Sequence, residues 1–286
     1  RLGLMLALPV ILIMGGLVLL PLLSTLFDSF FRIEPMKPGN PFVGLKNYTV
    51  AFTDGIILKS WANTAVYVVL AVAIETVGGL MAALLLNRVK IGRRWLLAAV
   101  VLPWCLPPVV NAIIWMWIYN PSYGLLNGIL QSIGLTEGNQ VWFNDRTTGL
   151  FLVALMHAWR MMPLTVIILL AALQSIPRDL YEAASIDGAG WMQRFWSITL
   201  PFLAPTIAIT VLLRTVWVSN FADLIVVMTG GGPADRTQIV ASYIFTIAFK
   251  RLDFGYASAI ALVLLALLLA YSLLIILLRQ MLLNKD

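Results

Sequence analysis

The sequence has few side chains that could carry covalent chemistry. Only one cysteine and one histidine occur among its 286 residues. Cys105 has no second cysteine with which to form a disulfide or a thiolate metal site within the chain. No HExxH motif, paired carboxylates or nucleophile–base pair is spaced for catalysis. The sequence therefore predicts no catalytic residue and no metal site, and it argues against an enzyme.

Charged residues are also scarce. They make up 11% of the chain and hydrophobic residues 61%, whereas soluble domains are typically about 25% charged and about 45–50% apolar. The apolar residues form six blocks, each long enough to cross a hydrocarbon core of about 30 Å as a helix that rises about 1.5 Å per residue. The blocks lie approximately at 2–27, 63–86, 95–119, 149–173, 202–228 and 257–278.

These blocks predict an all-α integral membrane protein with six transmembrane helices, which form one transmembrane domain over residues 1–286. Strands of a membrane barrel would alternate apolar and polar residues, and a run such as 261–270 shows no alternation. The first block is too long for the apolar region of a secretion signal, and no small-residue cleavage site follows it. We therefore expect it to be retained as a membrane helix.

The distribution of basic residues predicts the orientation in the membrane. Between the second and third blocks lie four cations and no acid, namely Arg88, Lys90, Arg93 and Arg94. The segment 120–148 instead carries one arginine and two acids. Because short cytoplasmic loops collect Lys and Arg, both termini and the segment 174–201 are predicted to be cytoplasmic. A basic cluster beside a membrane helix indicates topology, so we expect no nucleic-acid partner.

Two further patterns concern nucleotides and the outer surface. The P-loop pattern GxxxxGK[ST] is absent, so ATP hydrolysis by that route must lie on another chain, and we expect no cofactor in this one. Apolar residues at helical spacing in 237–249 predict an interfacial helix on the outer surface. The Thr-Gly-Gly-Gly-Pro sequence at 229–233 predicts a turn before it.

The segment 174–201 is long for a helix connection, since loops in compact proteins usually have about 4–6 residues. Pro177 suits a helix start, and the Glu182 carboxylate favours the positive end of the helix dipole. Gly188 is placed to stop this helix. A second short amphipathic piece is expected to end where Leu200-Pro201 opens the fifth transmembrane helix.

At this segment the chain resembles the cytoplasmic EAA loop of ABC importer permeases. The matching residues are Glu182-Ala183-Ala184, Asp187-Gly188-Ala189, Phe195, Ile198 and Leu200-Pro201. Other residues resemble the carbohydrate-uptake branch of that family, to which maltose transporters belong. They are Trp217, Asn220, Asp223-Leu224-Ile225, the Gly-rich turn at 229–233, Tyr243 and Gly255-Tyr256-Ala257. The resemblance extends over most of the chain and implies a permease subunit of an ATP-driven sugar importer.

The resemblance implies that the segment carries a coupling helix, which inserts into a groove of a cytoplasmic ATPase subunit. The expected contact residues are Glu182, Ala183, Ala184, Asp187, Gly188 and Ala189. Small side chains would let a partner surface approach closely, and the Glu182 carboxylate could pair with a partner arginine. The alternative is a helix with a purely structural part in the loop.

The resemblance also implies the partners and the location. It implies a second homologous permease, two ATPase subunits that hold ATP and Mg, and an extracytoplasmic solute-binding protein that delivers a sugar. The chain would then be a multi-pass protein in the cytoplasmic membrane bilayer of a bacterium or archaeon.

Sugars are recognised by aromatic rings that stack on C–H faces and by polar groups that bond hydroxyls. Buried helix faces offer such groups at Trp104, Asn111, Arg160, Arg214, Trp217, Asn220, Phe221 and Asp223. Trp104, Pro108 and Asn111 are expected to share a face of the third helix. In disaccharide permeases that look similar, the midmembrane sugar site corresponds by spacing to Trp104, Pro108, Arg160, Leu164, Arg214, Val218 and Phe221.

This chain departs from that pattern because it has arginine at both 160 and 214. Two guanidinium groups suggest an acidic or phosphorylated sugar. Alternatively, Arg160 snorkels or pairs with Glu75, and Arg214 bonds backbone carbonyls across the subunit boundary. His157, which has no acidic neighbour in the sequence, is expected to be a packing residue without a catalytic role.

An ion-gradient-driven secondary transporter is the main alternative function, because apolar helices with a few buried charges also describe that class. A channel is a weaker alternative, since no filter-like repeat is evident.

Overall fold

The computed structural model describes residues 2–283, and its regular secondary structure in that range is helical, apart from one isolated antiparallel bridge between Phe31 and Phe42. Arg1 and residues 284–286, part of the predicted domain 1–286, lie outside the described residues. The helices of the described chain are α1 Leu2–Met14, α2 Leu20–Asp28, α3 Lys46–Thr53, α4 Gly55–Arg88, α5 Arg93–Val101, α6 Pro108–Ile118, α7 Leu125–Ser132, α8 Arg146–Gln174, α9 Arg178–Ile186, α10 Trp191–Arg194, α11 Leu200–Asn220, α12 Asp223–Met228, α13 Val240–Phe245 and α14 Phe254–Leu283. The prediction of an all-α protein is confirmed.

Within the described residues, five helical spans are long and apolar enough to cross a membrane, or six if one bent pair counts as a single span. The five spans are Leu6–Asp28, Gly55–Arg88, Arg146–Gln174, Trp191–Met228 and Phe254–Leu277. They match five of the predicted blocks, although the second begins eight residues earlier than 63 because α4 starts at Gly55.

The third predicted span is not one continuous helix. It consists of Arg93–Cys105 and Pro108–Ile118, which meet at an angle of 96°. Leu106 is extended, with ψ 133°, because the ring of Pro107 disfavours the helical conformation of the residue before it. Two consecutive prolines also lack N–H donors for helical hydrogen bonds.

The fifth span ends at Met228 as predicted, but it is joined to the helix before it and is interrupted near its end. Leu200-Pro201 opens α11 as predicted, but no break precedes it, because α10 continues through a π-helical turn, Phe195–Thr199, directly into α11. At the other end the backbone leaves the helix at Phe221, with φ −89° and ψ 87°, and α12 begins at Asp223.

The described residues form two compact units. One contains 1–61 and 240–286, as far as they are described, and its core consists of Ala51, Ile57, Val240, Tyr243, Ile247, Ala248, Tyr256, Ala257, Ile260 and Leu264. The predicted helix in 237–249 is confirmed by α13 and the π-helical turn that follows it. Its apolar residues, however, pack into this core and are not spread on a surface as predicted.

Asp54 anchors this unit at the junction of α3 and α4. Its Oδ2 accepts hydrogen bonds from the hydroxyls of Tyr243 at 2.7 Å and Tyr256 at 3.3 Å, and its Oδ1 accepts one from the backbone N–H of Ile56 at 2.8 Å. Partial burial raises the pKa of Asp54, whereas these hydrogen bonds and the nearby Arg251 lower it. The lowering effects are together the larger, so the pKa lies below its usual value.

The second unit comprises 62–239 and contains α5 to α12 with most of α4. One of its buried clusters consists of Ala83, Leu86, Val166, Leu169, Leu170, Leu173, Ile176 and Leu203. Helices α4 and α8 approach closely where α4 carries Gly78 and Gly79. A Cβ atom on Gly79 would lie 2.7 Å from Cγ2 of Thr165, so only glycine permits this crossing.

The glycine-rich turn is also confirmed, and the Asn63 side chain binds the backbone that follows it. Gly232–Pro233 is cis, and the following backbone accepts hydrogen bonds from Nδ2 of Asn63 at the carbonyls of Asp235, Arg236 and Gln238, at 2.8–3.3 Å. The Oδ1 of Asn63 accepts from Nε of Arg146 at 2.6 Å.

Candidate functional site

Helix α9 is the first half of the predicted coupling segment. It spans Arg178–Ile186, with Pro177 as its N-cap residue and Asp179 in its first turn. Both features suit the positive end of a helix, because proline has no N–H to leave unpaired and an acid favours the helix dipole.

Gly188 ends this helix, as its position in the sequence predicted. It adopts φ +78°, a left-handed conformation that favours glycine. The N–H of Ala189 donates to the carbonyl of Ala184 at 2.9 Å, and that of Gly188 to Ser185 at 3.1 Å. This pattern closes the helix with two hydrogen bonds and turns the chain sharply.

One side of α9 is attached to the unit that carries it. The Tyr181 hydroxyl lies 2.9 Å from Oγ1 of Thr199, and Nη1 of Arg194 donates to Oγ of Ser185 at 2.6 Å. The chain after the turn is therefore tied back to the helix, and α9 has a fixed direction.

The other side of α9 is open. Ile186 is 87% exposed and Leu180 38%, although apolar side chains of this size usually lie in a core. Glu182 and Ala183 are exposed as well, and Glu182 forms no ion pair with the described residues. The predicted contact residues thus lie at the surface of one short, rigid helix and the turn that follows it.

A buried ion pair lies deep in the same unit. Nε of Arg214 on α11 donates to Oε2 of Glu75 on α4 in a short hydrogen bond. Glu75 is 0% exposed and Arg214 1%. Burial of one charge in an apolar surrounding is costly, and each of these groups compensates the other. The alternative in which Arg160 pairs with Glu75 is wrong, because Arg214 forms that ion pair.

His157 completes this cluster. Its Nδ1 lies 2.9 Å from the Tyr67 hydroxyl, and its Nε2 lies 3.4 Å from Oε1 of Glu75. The histidine is 1% exposed and packs in the interior as expected, but its Nε2 has no hydrogen-bond partner among the described residues. His157 has no acidic neighbour in the sequence, but the fold brings Glu75 beside it.

Arg160 has a different environment. Its Nε donates a hydrogen bond to the carbonyl of Leu106 at 3.3 Å. Leu106 is the residue at which the third span breaks. Its guanidinium carbon lies 5.6 Å from the centre of the Phe221 ring, within the range of a cation–π contact. Arg160 forms no ion pair with any described residue, and the Asp223 carboxylate acts on its charge only from a longer distance.

The fold does not give all the predicted sugar-binding residues one environment. Asn111 is fully buried, whereas Trp104 is 43% exposed and lies before the 96° break, so the face that they were expected to share with Pro108 is interrupted. Trp217 is 49% exposed and lies 5.7 Å from the Arg214 guanidinium. Asn220 and Asp223 are exposed.

Several buried polar atoms of this unit lack a hydrogen-bond partner among the described residues. They include Nη1 and Nη2 of Arg214 and both polar atoms of the Asn111 amide. Such atoms are rare in folded proteins and often indicate a ligand or ordered water. Among the described residues, no group of three or more His, Cys, Asp and Glu side chains could hold a metal ion.

Sequence reasoning gave too little weight to Glu75 and missed Tyr67. Glu75 was considered only as a possible partner of Arg160. The available signal was its position, since an acid in the middle of an apolar span is expensive unless a cation lies beside it. Tyr67 lies eight residues earlier on the same helix and gave no signal of its own.

Comparison with known proteins identifies the family. Residues 75–283 match the model of the family described as binding-protein-dependent transport system inner membrane component. The chain is 36% identical over 272 residues to the trehalose/maltose transport system permease protein of Thermococcus litoralis, covering 95% of this chain and 91% of that protein. It is 35% identical over 269 residues to the sulfoquinovosyl glycerol transport system permease protein of Agrobacterium fabrum, covering 93% and 86%.

The fold also resembles a chain in the crystal structure of a bacterial ABC transporter involved in the import of the acidic polysaccharide alginate. The TM-score is 0.83 at 22% sequence identity, over 98% of this chain and 95% of that chain. The chain belongs to the inner-membrane permeases of binding-protein-dependent ABC importers and is a multi-pass transport subunit, not an enzyme.

Proposed function

We propose that the chain is one of two homologous permease subunits of a sugar importer, and that α9 couples it to a cytoplasmic ATPase. The observation that carries this proposal is the exposed side of α9, where apolar and acidic side chains lie on a helix whose direction is fixed by Gly188 and Tyr181. A free surface of this kind suits a docking partner. Family membership supports the proposal and disfavours an ion-gradient-driven transporter.

The complete transporter would contain this chain as one transmembrane domain, a second permease, two ATPase subunits with ATP and Mg, and an extracytoplasmic binding protein. The basic residues between α4 and α5 support cytoplasmic termini and a cytoplasmic α9. Closure of the two ATPases would then move α9 of each permease.

Co-purification with the ATPase encoded beside this chain tests the coupling role. The variant Glu182→Lys reverses a charge on the exposed side of α9 and is expected to lose most of the ATPase. Glu137→Lys makes the same charge change at an exposed glutamate in the segment 120–148, which is predicted to face the other side of the membrane. Equal retention of the ATPase by both variants would contradict the proposal.

We also propose that the sugar contacts the buried polar face around Arg160, Arg214 and Asn111, with Phe221 as a stacking surface. The unpartnered atoms of Arg214 and Asn111 support this, because sugar hydroxyls could accept from or donate to them. The other predicted contacts are more exposed; they are Trp104, Trp217, Asn220 and Asp223.

The charge of the substrate is expected to depend on which of the two arginines lacks an ion-pair partner. Glu75 neutralises Arg214, whereas Arg160 has no carboxylate partner among the described residues. One cation without an ion-pair partner, beside an aromatic ring, favours a sugar with one acidic or phosphate group. The relatives named above transport trehalose and maltose in one case and sulfoquinovosyl glycerol, a sulfonated sugar derivative, in the other.

Uptake of a sugar acid against its neutral parent tests this proposal in reconstituted transporter. The native protein is expected to prefer the acid. Arg160→Gln should weaken uptake of the acid by about 30-fold, corresponding to about 2 kcal/mol for the loss of one member of a buried charge pair. Uptake of the acid that is unchanged in Arg160→Gln would argue for a neutral sugar.

A further inference from the structure

A cationic cavity lies in the second unit, where the turn between α4 and α5 meets the end of α8 and the start of α9. Its volume is about 680 Å³, and Lys90, Arg93 and Arg178 line it. Hydrogen-bonding groups of Asn87, Gln174 and Tyr181 line it as well. The cavity therefore combines three cations with neutral polar groups.

The three cations are not compensated by the described part of the chain. None of them forms an ion pair with a described residue, and no described residue lining the cavity is acidic. The Gln174 amide lies against the Arg93 guanidinium and supplies only a neutral partner. Three converging cations repel one another, so an anion in the cavity would lower their energy.

An apolar groove of about 390 Å³ adjoins this cavity. Only alanine, leucine and valine side chains of α4, α5 and the turn between them line it. Val89 lines both the groove and the cavity, so the two spaces meet there. Leu85 and Leu96 on its walls are 64% and 47% exposed. A ligand that filled both spaces would have an anionic head and a hydrocarbon tail.

We propose that this site binds one anionic phospholipid, with its phosphate among Lys90, Arg93 and Arg178 and an acyl chain in the groove beside Val89. Basic pockets between membrane helices on the side with the basic loops are suited to anionic headgroups. A soluble phosphate would leave the groove empty, and a partner helix would need an acid at its end to complement the cavity. Because Arg178 and Tyr181 belong to α9, the bound headgroup would contact the helix proposed to couple to the ATPase.

Native mass spectrometry of the assembled complex tests the site, with phosphatidylglycerol and phosphatidylcholine as probes. Phosphatidylglycerol should remain bound to the native complex, and phosphatidylcholine should not. Arg93→Gln removes a charge that lines the cavity, and Arg94→Gln is its matched control. Arg94 is exposed, does not line the cavity and lies over the Trp95 ring at 5.3 Å.

Arg93→Gln should weaken phosphatidylglycerol binding about fivefold, as expected for one cation near a membrane surface, and Arg94→Gln should leave it unchanged. Lys90→Gln, in an exposed turn, should repeat the fivefold loss if Arg93→Gln fails to assemble. Ala99→Phe fills the groove and should also weaken binding while the headgroup cations are intact.

Four results would overturn the proposal. Phosphatidylcholine could bind as tightly as phosphatidylglycerol, or the Arg93 and Arg94 variants could behave alike. The water-soluble headgroup glycerophosphoglycerol, without acyl chains, could displace the lipid at equal concentration, which would show a free-phosphate site. Ala99→Phe could release the second permease and leave lipid binding intact, which would show that the groove is a subunit interface.

Discussion

The buried pair of Glu75 and Arg214 gives the sharpest prediction for stability. In Glu75→Gln the guanidinium stays 1% exposed but loses its only anionic partner among the described residues. Removal of one member of a buried ion pair costs about 3–5 kcal/mol, because the remaining charge is buried without compensation. The ratio of folded to unfolded protein should therefore fall by roughly two to four orders of magnitude.

A double-mutant cycle tests this reasoning. Arg214→Gln should be similarly destabilising, because it leaves the Glu75 carboxylate at 0% exposure. The double variant replaces the ion pair by two amides that can bond each other, so its cost should be smaller than the sum of the two single costs by about 1–3 kcal/mol. Equilibrium unfolding in mixed micelles measures the free energy of unfolding of the native protein, the two single variants and the double variant. Costs that simply add in the double variant would refute the pairing.

Three smaller predictions follow from single positions. Gly79→Leu should destabilise the protein by about 1–3 kcal/mol in thermal unfolding, because its Cβ would lie 2.7 Å from the Thr165 methyl. Gly128→Leu is the control and should be neutral in the same assay, because its Cβ would have no atom within 4 Å. Gly188→Ala should cost about 1 kcal/mol through its positive φ alone and weaken ATPase retention, and Gly188→Asn should cost less. Asp54→Asn should cost about 1–2 kcal/mol at pH 7. The lowered pKa of Asp54 means that its contribution is present above the unfolded pKa of about 3.9 and is lost as the pH falls through the folded value, so the variant and the native protein should converge once the pH lies below the folded value.

The apolar blocks made the helices predictable, because length and hydropathy alone determine which segments can span a membrane. The break at Leu106 was harder to predict. The two prolines signalled a weakness in the helix but not a bend of 96°, and the carbonyl of Leu106 accepts a hydrogen bond from Arg160, 54 residues away. Such a partner cannot be read from local sequence.

Helix α9 was predicted more completely than the buried cluster. Helix α9 is specified by neighbouring residues, since Pro177 starts it and Gly188 ends it. The cluster joins Tyr67, Glu75, His157 and Arg214, which lie up to 147 residues apart in sequence and come together only through packing of α4, α8 and α11. The sequence showed that Arg214 needed a partner but not which residue supplied it.

Site-directed cross-linking tests the central claim most directly, that an ATPase docks on α9. The single native cysteine, Cys105, is exposed and is first replaced by Cys105→Ser. Ile186→Cys then places a thiol at a position that is 87% exposed on α9, and Leu135→Cys places one at 69% exposure in the segment predicted to face the other side of the membrane. We expect a bifunctional maleimide to join the ATPase to the chain at 186 and not at 135. Absence of the cross-link at 186, or equal cross-linking at both positions, would contradict the account.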